Sequence, residues 1–251
     1  MTKNPASTDA ARTWTKPSSW PVLESKEAHV WLAHLPSVRE ESEPWTALLS
    51  GDELERAAQI PPPARRARWQ QTRGVLRSIL ARCLDCDAGE IIFRAGAHGK
   101  PELQHPAPGE LHFNTSHSGD YAVFAASRAG AIGVDLERVN EQRPRLNEIV
   151  ARYFATGEQD AWRALPEAER ARGFFDLWTR KEAFVKARGD GVFSGLDQFE
   201  VSLAGARLLS VRGDTASARE WWMTALPAIP GYAGALAVRK PSCAAQFWKC
   251  G

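Results

Sequence analysis

Apolar residues return every three to four positions along "FFDLWTRKEAFVKARGDG" (174–191). At about 100° of turn per residue, Phe174, Leu177, Trp178, Phe184 and Val185 share one arc of a helix that ends at a glycine. Lys181 falls near the middle of that arc, and Glu182 falls at its edge beside Lys186. On one reading this is an ordinary surface. Glu182 and Lys186 stand at i, i+4 with the acid first, a pair worth roughly 0.2–0.5 kcal/mol. A lysine stem also covers apolar surface while its ammonium stays in water. On the other reading, the face lines a site.

The same pattern assigns the rest of the chain. "HVWLAHL" (29–35) reads as a first strand, and "SGDELERAAQI" (50–60) as a capped short helix stopped by the prolines at 61–63. Residues 64–84 read as a long helix carrying Arg65, Arg66, Arg68, Arg73, Arg77 and Arg82 and no acid. "EIIFRAGAHGKPEL" (90–103) suggests two short strands about a glycine turn, and "LHFNTSHSGD" (111–120) a polar loop. "YAVFAAS" (121–127) and "AIGVDLERV" (131–139) are expected to form a hairpin. Residues 145–189 read as mostly helical, and strand-like pieces follow residue 195. Helices and strands therefore mix as α+β, with a boundary near 128–130 and no visible repeat. Residues 1–27 read as a polar extension with little order of its own.

Composition narrows the function. The chain has 251 residues, with 43% hydrophobic and 25% charged, ordinary values for a globular protein. The formal net charge of +2 argues against a general polyanion binder, so basic surface is local. No apolar run reaches membrane-spanning length and no signal-like stretch opens the chain, which leaves the cytoplasm as the expected compartment. Cys83, Cys86, Cys243 and Cys250 lack the spacing of a complete zinc or redox set and are expected as free thiols.

Candidate chemistry gathers late in the chain. A strand period of two puts Ile132, Val134 and Leu136 on one face of 131–139 and Gly133, Asp135 and Glu137 on the other. Two carboxylates about 7 Å apart on one face suit either open water or a hard divalent cation such as magnesium. Glu182 offers a third carboxylate, and Lys181 and Lys186 beside it suit phosphate oxygens the metal does not cover. Asn114, Ser116 and His117 could bind an anion or simply hold a turn. The arginine helix favours a small multi-phosphate ligand over nucleic acid, because Trp69 is the one interleaved aromatic.

"GKP" (99–101), "FNTSHS" (113–118), "GVDLE" (133–137) and "WTRKEAFVKARGDG" (178–191), in that order, resemble the Sfp-type 4'-phosphopantetheinyl transferases. The resemblance spans roughly residues 29 to 238. It implies a pseudo-dimer of two similar α/β subdomains with the active site in the cleft between them. A coenzyme A-binding half would occupy 28–129 and a magnesium-binding, catalytic half 130–240, with 1–27 and 241–251 outside as extension and tail. It implies transfer of the phosphopantetheine arm of coenzyme A, as substrate, to a serine of an apo acyl or peptidyl carrier protein, releasing 3',5'-ADP. Asp135, Glu137 and Glu182 would be the magnesium ligands, with manganese as a substitute. Lys181 and Lys186 would contact the pyrophosphate. Lys100, Ser116 and His117 would hold the 3'-phosphate and nucleotide, and Arg56, Arg66 and Arg68 would add charge around that end. Glu182 would serve as the base and Lys186 would assist the departing phosphate, with Asp135 completing the catalytic set. Arg180, in a variable slot of the motif, would add charge near the cleft and favour an acidic carrier. By analogy with the family the protein is expected to be a monomer, without nucleic-acid or membrane partners. The alternatives are a non-catalytic module that holds coenzyme A or a carrier, and a metal-dependent phosphohydrolase.

Overall fold

The computed structural model describes residues 12–40, 45–106, 108–189 and 195–250. The chain begins with β1 (Glu27–His34), α1 (Leu35–Glu40), α2 (Gly51–Ala58) and the long α3 (Pro63–Leu84). There follow β2 (Ile92–Ala95), β3 (Pro101–His105), β4 (His112–Ser118), β5 (Tyr121–Ser127) and β6 (Ile132–Arg138). A helical stretch holds α4 (Leu146–Tyr153), α5 (Thr156–Arg163) and α6 (Glu167–Arg188). The last part holds β7 (Phe199–Val201), β8 (Leu208–Val211), α7 (Thr215–Ala218), β9 (Trp222–Ala225), β10 (Tyr232–Val238) and β11 (Ala244–Lys249). This is a mixed α+β protein. No described helix is long and apolar enough to cross a membrane.

Two sheets and two 22-residue helices stack in four layers. One sheet has the order β11-β1-β5-β4 and the other β6-β10-β9. Helix α3 covers the outer face of the first sheet, packing Val75, Ile79 and Leu80 on Trp31, Phe113 and Phe124. Helix α6 covers the outer face of the second, packing Phe174, Leu177 and Phe184 with Ala233, Ala235 and Ala237 of β10. Between the sheets, Val30, Leu32 and Val123 meet Val134, Leu136 and Leu236. The central strands are thus buried on both faces, which is why they read as nearly continuous apolar runs.

That layering corrects several sequence expectations. Strands β5 and β6 do not form a hairpin: β5 pairs with β1 and β4, and β6 pairs with β10. Segment 128–131 instead carries the chain from one sheet to the other, because both strands have apolar faces to bury between the sheets. The polar loop expected at 111–120 is the edge strand β4 and its turn into β5. The C-terminal tail supplies β11, which pairs in parallel with β1 and buries Phe247. In the extension, residues 12–27 are docked rather than loose. Arg12 Nη1 donates to Thr224 Oγ1 at 2.7 Å, the Trp14 indole donates to the Pro227 carbonyl at 3.0 Å, and Trp20 stacks on Trp31 at 5.5 Å.

Candidate active site

Glycine makes the site possible. A Cβ on Gly133 would lie 2.1 Å from the Ala183 carbonyl oxygen and 2.3 Å from the Ala187 nitrogen, so helix α6 rests directly on the backbone of β6. At that contact Glu182 and Lys186 stand beside Asp135. Lys186 Nζ donates to Asp135 Oδ1 at 2.6 Å, to Ser116 Oγ at 3.1 Å and to the Val134 carbonyl at 3.3 Å. The helix ends two residues after Lys186, at Arg188, and Gly189 follows with a φ of 78°, the left-handed geometry of a C-terminal cap.

Strand β4 supplies the opposite wall. Its side chains at 114, 116 and 118 repeat with the strand period and bridge to β6. Asn114 Oδ1 accepts the Val134 N–H at 2.9 Å, and Ser116 Oγ donates to Asp135 Oδ1 at 2.8 Å. Ser118 Oγ donates to Glu137 Oε2 at 3.1 Å and accepts the Arg138 N–H at 2.9 Å. Ser118 went unnoticed in the sequence because 111–120 reads as a loop. The alternation Asn114, Ser116, Ser118 was the signal for a strand.

Electrostatically, the cluster holds more negative charge than it neutralises. Burial, then Asp135 and Glu137, push the Glu182 carboxyl up to about 7 against the pull of Lys186. Glu137 is also raised, by burial first and then by Asp135. Asp135 Oδ2 and Glu182 Oε1 are buried with no hydrogen-bond partner among the described residues. A cation is the group that would satisfy both oxygens and relieve the repulsion, so the donor set fits a hard divalent ion. Even so, no three His, Cys, Asp or Glu side chains among the described residues stand together as a ready-made ligand cage.

Beside the cluster opens a cavity of about 590 Å³, lined by Arg56, Trp69, Arg73, Arg77, Ser116 and His117 among others. Ser116 lines this cavity and also bonds Asp135, so it joins the basic cleft to the acidic cluster. The Arg56 guanidinium lies 5.9 Å from the Trp69 ring centre. Arg73 and Arg77 both bond Glu53 of α2, the acid that the arginine helix lacks in its own sequence. His117 is held below the ordinary imidazole range by desolvation, then by Arg68, Lys186 and Arg65.

Other expected ligand contacts lie elsewhere. Lys181 does not face the cleft. It is fully buried on the far side of α6, and its Nζ donates to both Glu158 carboxylate oxygens at 2.6 Å and to the Phe199 carbonyl at 2.8 Å. Its central place on the apolar arc puts it in the core, where Glu158 of α5 supplies the buried counter-charge. Arg180 is likewise buried, donating to the carbonyls of Ser202 and Leu203, so it adds no charge at the cleft. Lys100 donates to the carbonyls of Ile132, Lys186 and Ala187, at 3.1, 2.6 and 3.3 Å. There it caps the end of α6 rather than lining the cavity, and burial lowers its pKa to about 8. Arg66 lies outside the cavity lining and reaches the Ala58 and Ile60 carbonyls at 3.4 Å. Arg68, also outside, donates to the Gly119 carbonyl at 2.6 Å in the β4–β5 turn.

Two family models match in tandem. "4'-Phosphopantetheinyl transferase, N-terminal" covers residues 46–129, and "4'-phosphopantetheinyl transferase superfamily" covers 131–237. The slr0495 protein of Synechocystis sp. is 35% identical over 203 residues, 80% of either chain. The 4'-phosphopantetheinyl transferase HetI of Nostoc sp. is 37% identical over 76% of this chain and 80% of its own. The 4'-phosphopantetheinyl transferase Sfp of Bacillus subtilis is 31% identical over 67% of this chain and 72% of its own.

Proposed function

This chain belongs to the 4'-phosphopantetheinyl transferase family, and from that premise we propose that it moves the phosphopantetheine arm of coenzyme A onto a serine of an apo acyl or peptidyl carrier protein, releasing 3',5'-ADP. The observation that carries the reading is the Glu182–Asp135–Lys186–Ser116 cluster at the mouth of a basic cavity. The cavity, with Arg56 and His117 in its wall, suits the nucleotide end of coenzyme A. The cluster then meets the pyrophosphate.

In phosphoryl transfer the protein mainly positions groups and balances charge. The carrier hydroxyl attacks the β-phosphorus of coenzyme A, and its proton passes to Glu182, directly or through a water. The bond to the α-phosphate oxygen breaks, and Lys186 stabilises the charge left on 3',5'-ADP. Asp135 holds Lys186 in place, and Ser116 holds Asp135. Asp135, Glu137 and Glu182 would hold magnesium, or manganese in its stead, which would neutralise pyrophosphate charge. The attacking serine belongs to the partner, so no serine of this chain needs activation. We place the enzyme in the cytoplasm, acting as a monomer, with a coenzyme A half (28–129) and a catalytic half (130–240).

Chromatography of coenzyme A turnover tests this. Incubated with magnesium and a panel of apo carriers, the protein should release 3',5'-ADP only when a suitable carrier is present. Equal release without any carrier would identify a phosphohydrolase instead, and no release with any carrier would remove the proposed acceptor class.

A further inference from the structure

The last four carbonyls of a helix have no partner inside it, and its last turn is the part that frays. In α6 that turn carries Lys186 and ends at Arg188. The Lys186 side chain is held by Asp135, Ser116 and the Val134 carbonyl. Its backbone is held from another part of the chain. Gly189 N–H donates to the Val185 carbonyl at 2.9 Å. The next two carbonyls, of Lys186 and Ala187, accept from the Lys100 ammonium at 2.6 and 3.3 Å. The same ammonium donates to the Ile132 carbonyl at 3.1 Å.

Ile132 opens β6 and precedes Gly133, the glycine against which the backbone of Ala183 and Ala187 rests. One ammonium therefore ties β6 to α6 beside their closest contact, and its charge complements the C-terminal end of the helix dipole. Lys100 is itself set by a compact turn. Gly96 N–H donates to the Lys100 carbonyl at 2.7 Å, and His98 and Gly99 take φ of 54° and 79°. The neighbours Gly99 and Pro101 line the basic cavity, whereas the Lys100 side chain reaches α6 instead. An ammonium has three N–H donors, and here three carbonyls take them, so none is left over for a phosphate oxygen.

We propose that Lys100 is a positioning residue, which fixes the last turn of α6 on β6 and thereby holds Lys186 at Asp135. It acts through the helix and not on coenzyme A. The role rests on the proposed transfer only in that Lys186 serves it.

Lys100→Met keeps the stem and removes the ammonium. With saturating coenzyme A, magnesium and a carrier, it should slow transfer at least about tenfold, within what a displaced catalytic group costs. Calorimetry without a carrier should find its affinity for coenzyme A within about twofold of wild type, because binding and turnover are separable. In a Lys186→Met background, Lys100→Met should slow the residual transfer by less than about twofold more, since residues that act as a unit are not additive. Hydrogen exchange at the amides of 186–189 should quicken in Lys100→Met. Lys100→Gln gives the same comparisons in a milder variant should the first not fold. The proposal is overturned if coenzyme A affinity falls while the saturated rate holds, if the two substitutions act additively, or if exchange in the last turn is unchanged. A wild type that transfers nothing would remove the transferase reading alone, and the exchange measurement would still decide whether Lys100 holds the turn.

Discussion

Lys181 and Glu182 are neighbours in sequence and belong to different parts of the molecule. The roughly 100° between successive helical residues turns Glu182 toward β6 while Lys181 enters the core against Glu158. Removing one partner of a buried pair strands the other charge. Lys181→Met should therefore cost about 3–5 kcal/mol in denaturant unfolding. At a temperature where the variant stays folded, its turnover should remain near wild type. A folded variant with turnover lost would put Lys181 back at the pyrophosphate. His29 makes a second prediction at this scale. Burial lowers its pKa, partly opposed by Glu27, so the unfolded chain takes up a proton before the folded one does. Stability is then complete above the unfolded value near 6.5 and falls as pH drops below it, by at most about 1.4 kcal/mol per pH unit. His29→Gln should flatten that slope in urea titrations between pH 7 and 5, and an unchanged slope would assign it to other groups. The importance of Lys181 was legible in the sequence, since a lysine in an apolar arc is costly. Its direction was not, because the counter-charge Glu158 lies on another helix that the motif does not include.

At the scale of elements, the contact of α6 on β6 sets the site. Gly133 was readable as a small residue beside two acids, yet what fills the space is the helix backbone and not a ligand. A Cβ at 2.1 Å from a carbonyl oxygen has no flexible neighbour to displace. Gly133→Ala should thus cost about 1–3 kcal/mol or more and reduce transfer by separating Lys186 from Asp135. Thermal unfolding together with turnover checks both effects, and a stable, active variant would show that the helix tolerates a shift. The strand β4 was missed because its polar residues resemble turn chemistry. Its pairing with β5 and its serine bridges to β6 depend on partners distant in sequence, which a local pattern does not reveal.

For the whole molecule, four layers join early and late parts of the chain. Strand β11 closes the first sheet beside β1, and Phe247 enters the core between the sheets. Phe247→Ala should cost about 3–5 kcal/mol and lower the melting temperature by on the order of 10 °C. A tail without structural weight would leave it unchanged. Mixed α+β character was within reach of the sequence through its alternating runs. The turn at 128–130 reads as a hairpin and is instead a passage between two sheets, because the strands' partners lie far away in the chain. The parallel return of the C-terminus was not within reach either, since a short strand near a chain end carries no sign of its partner. A basic cleft stands beside an acidic cluster, joined by Ser116, and this junction is proposed to transfer phosphopantetheine to a carrier. Intact mass of an apo carrier after incubation with coenzyme A, magnesium and the protein tests it most directly. The carrier should gain one phosphopantetheine arm, and Glu182→Gln should slow that gain by at least about a hundredfold, the lower end for a lost general base. A carrier modified equally well by Glu182→Gln would contradict the role given to this cluster, and no modification of any acyl or peptidyl carrier would contradict the claim itself.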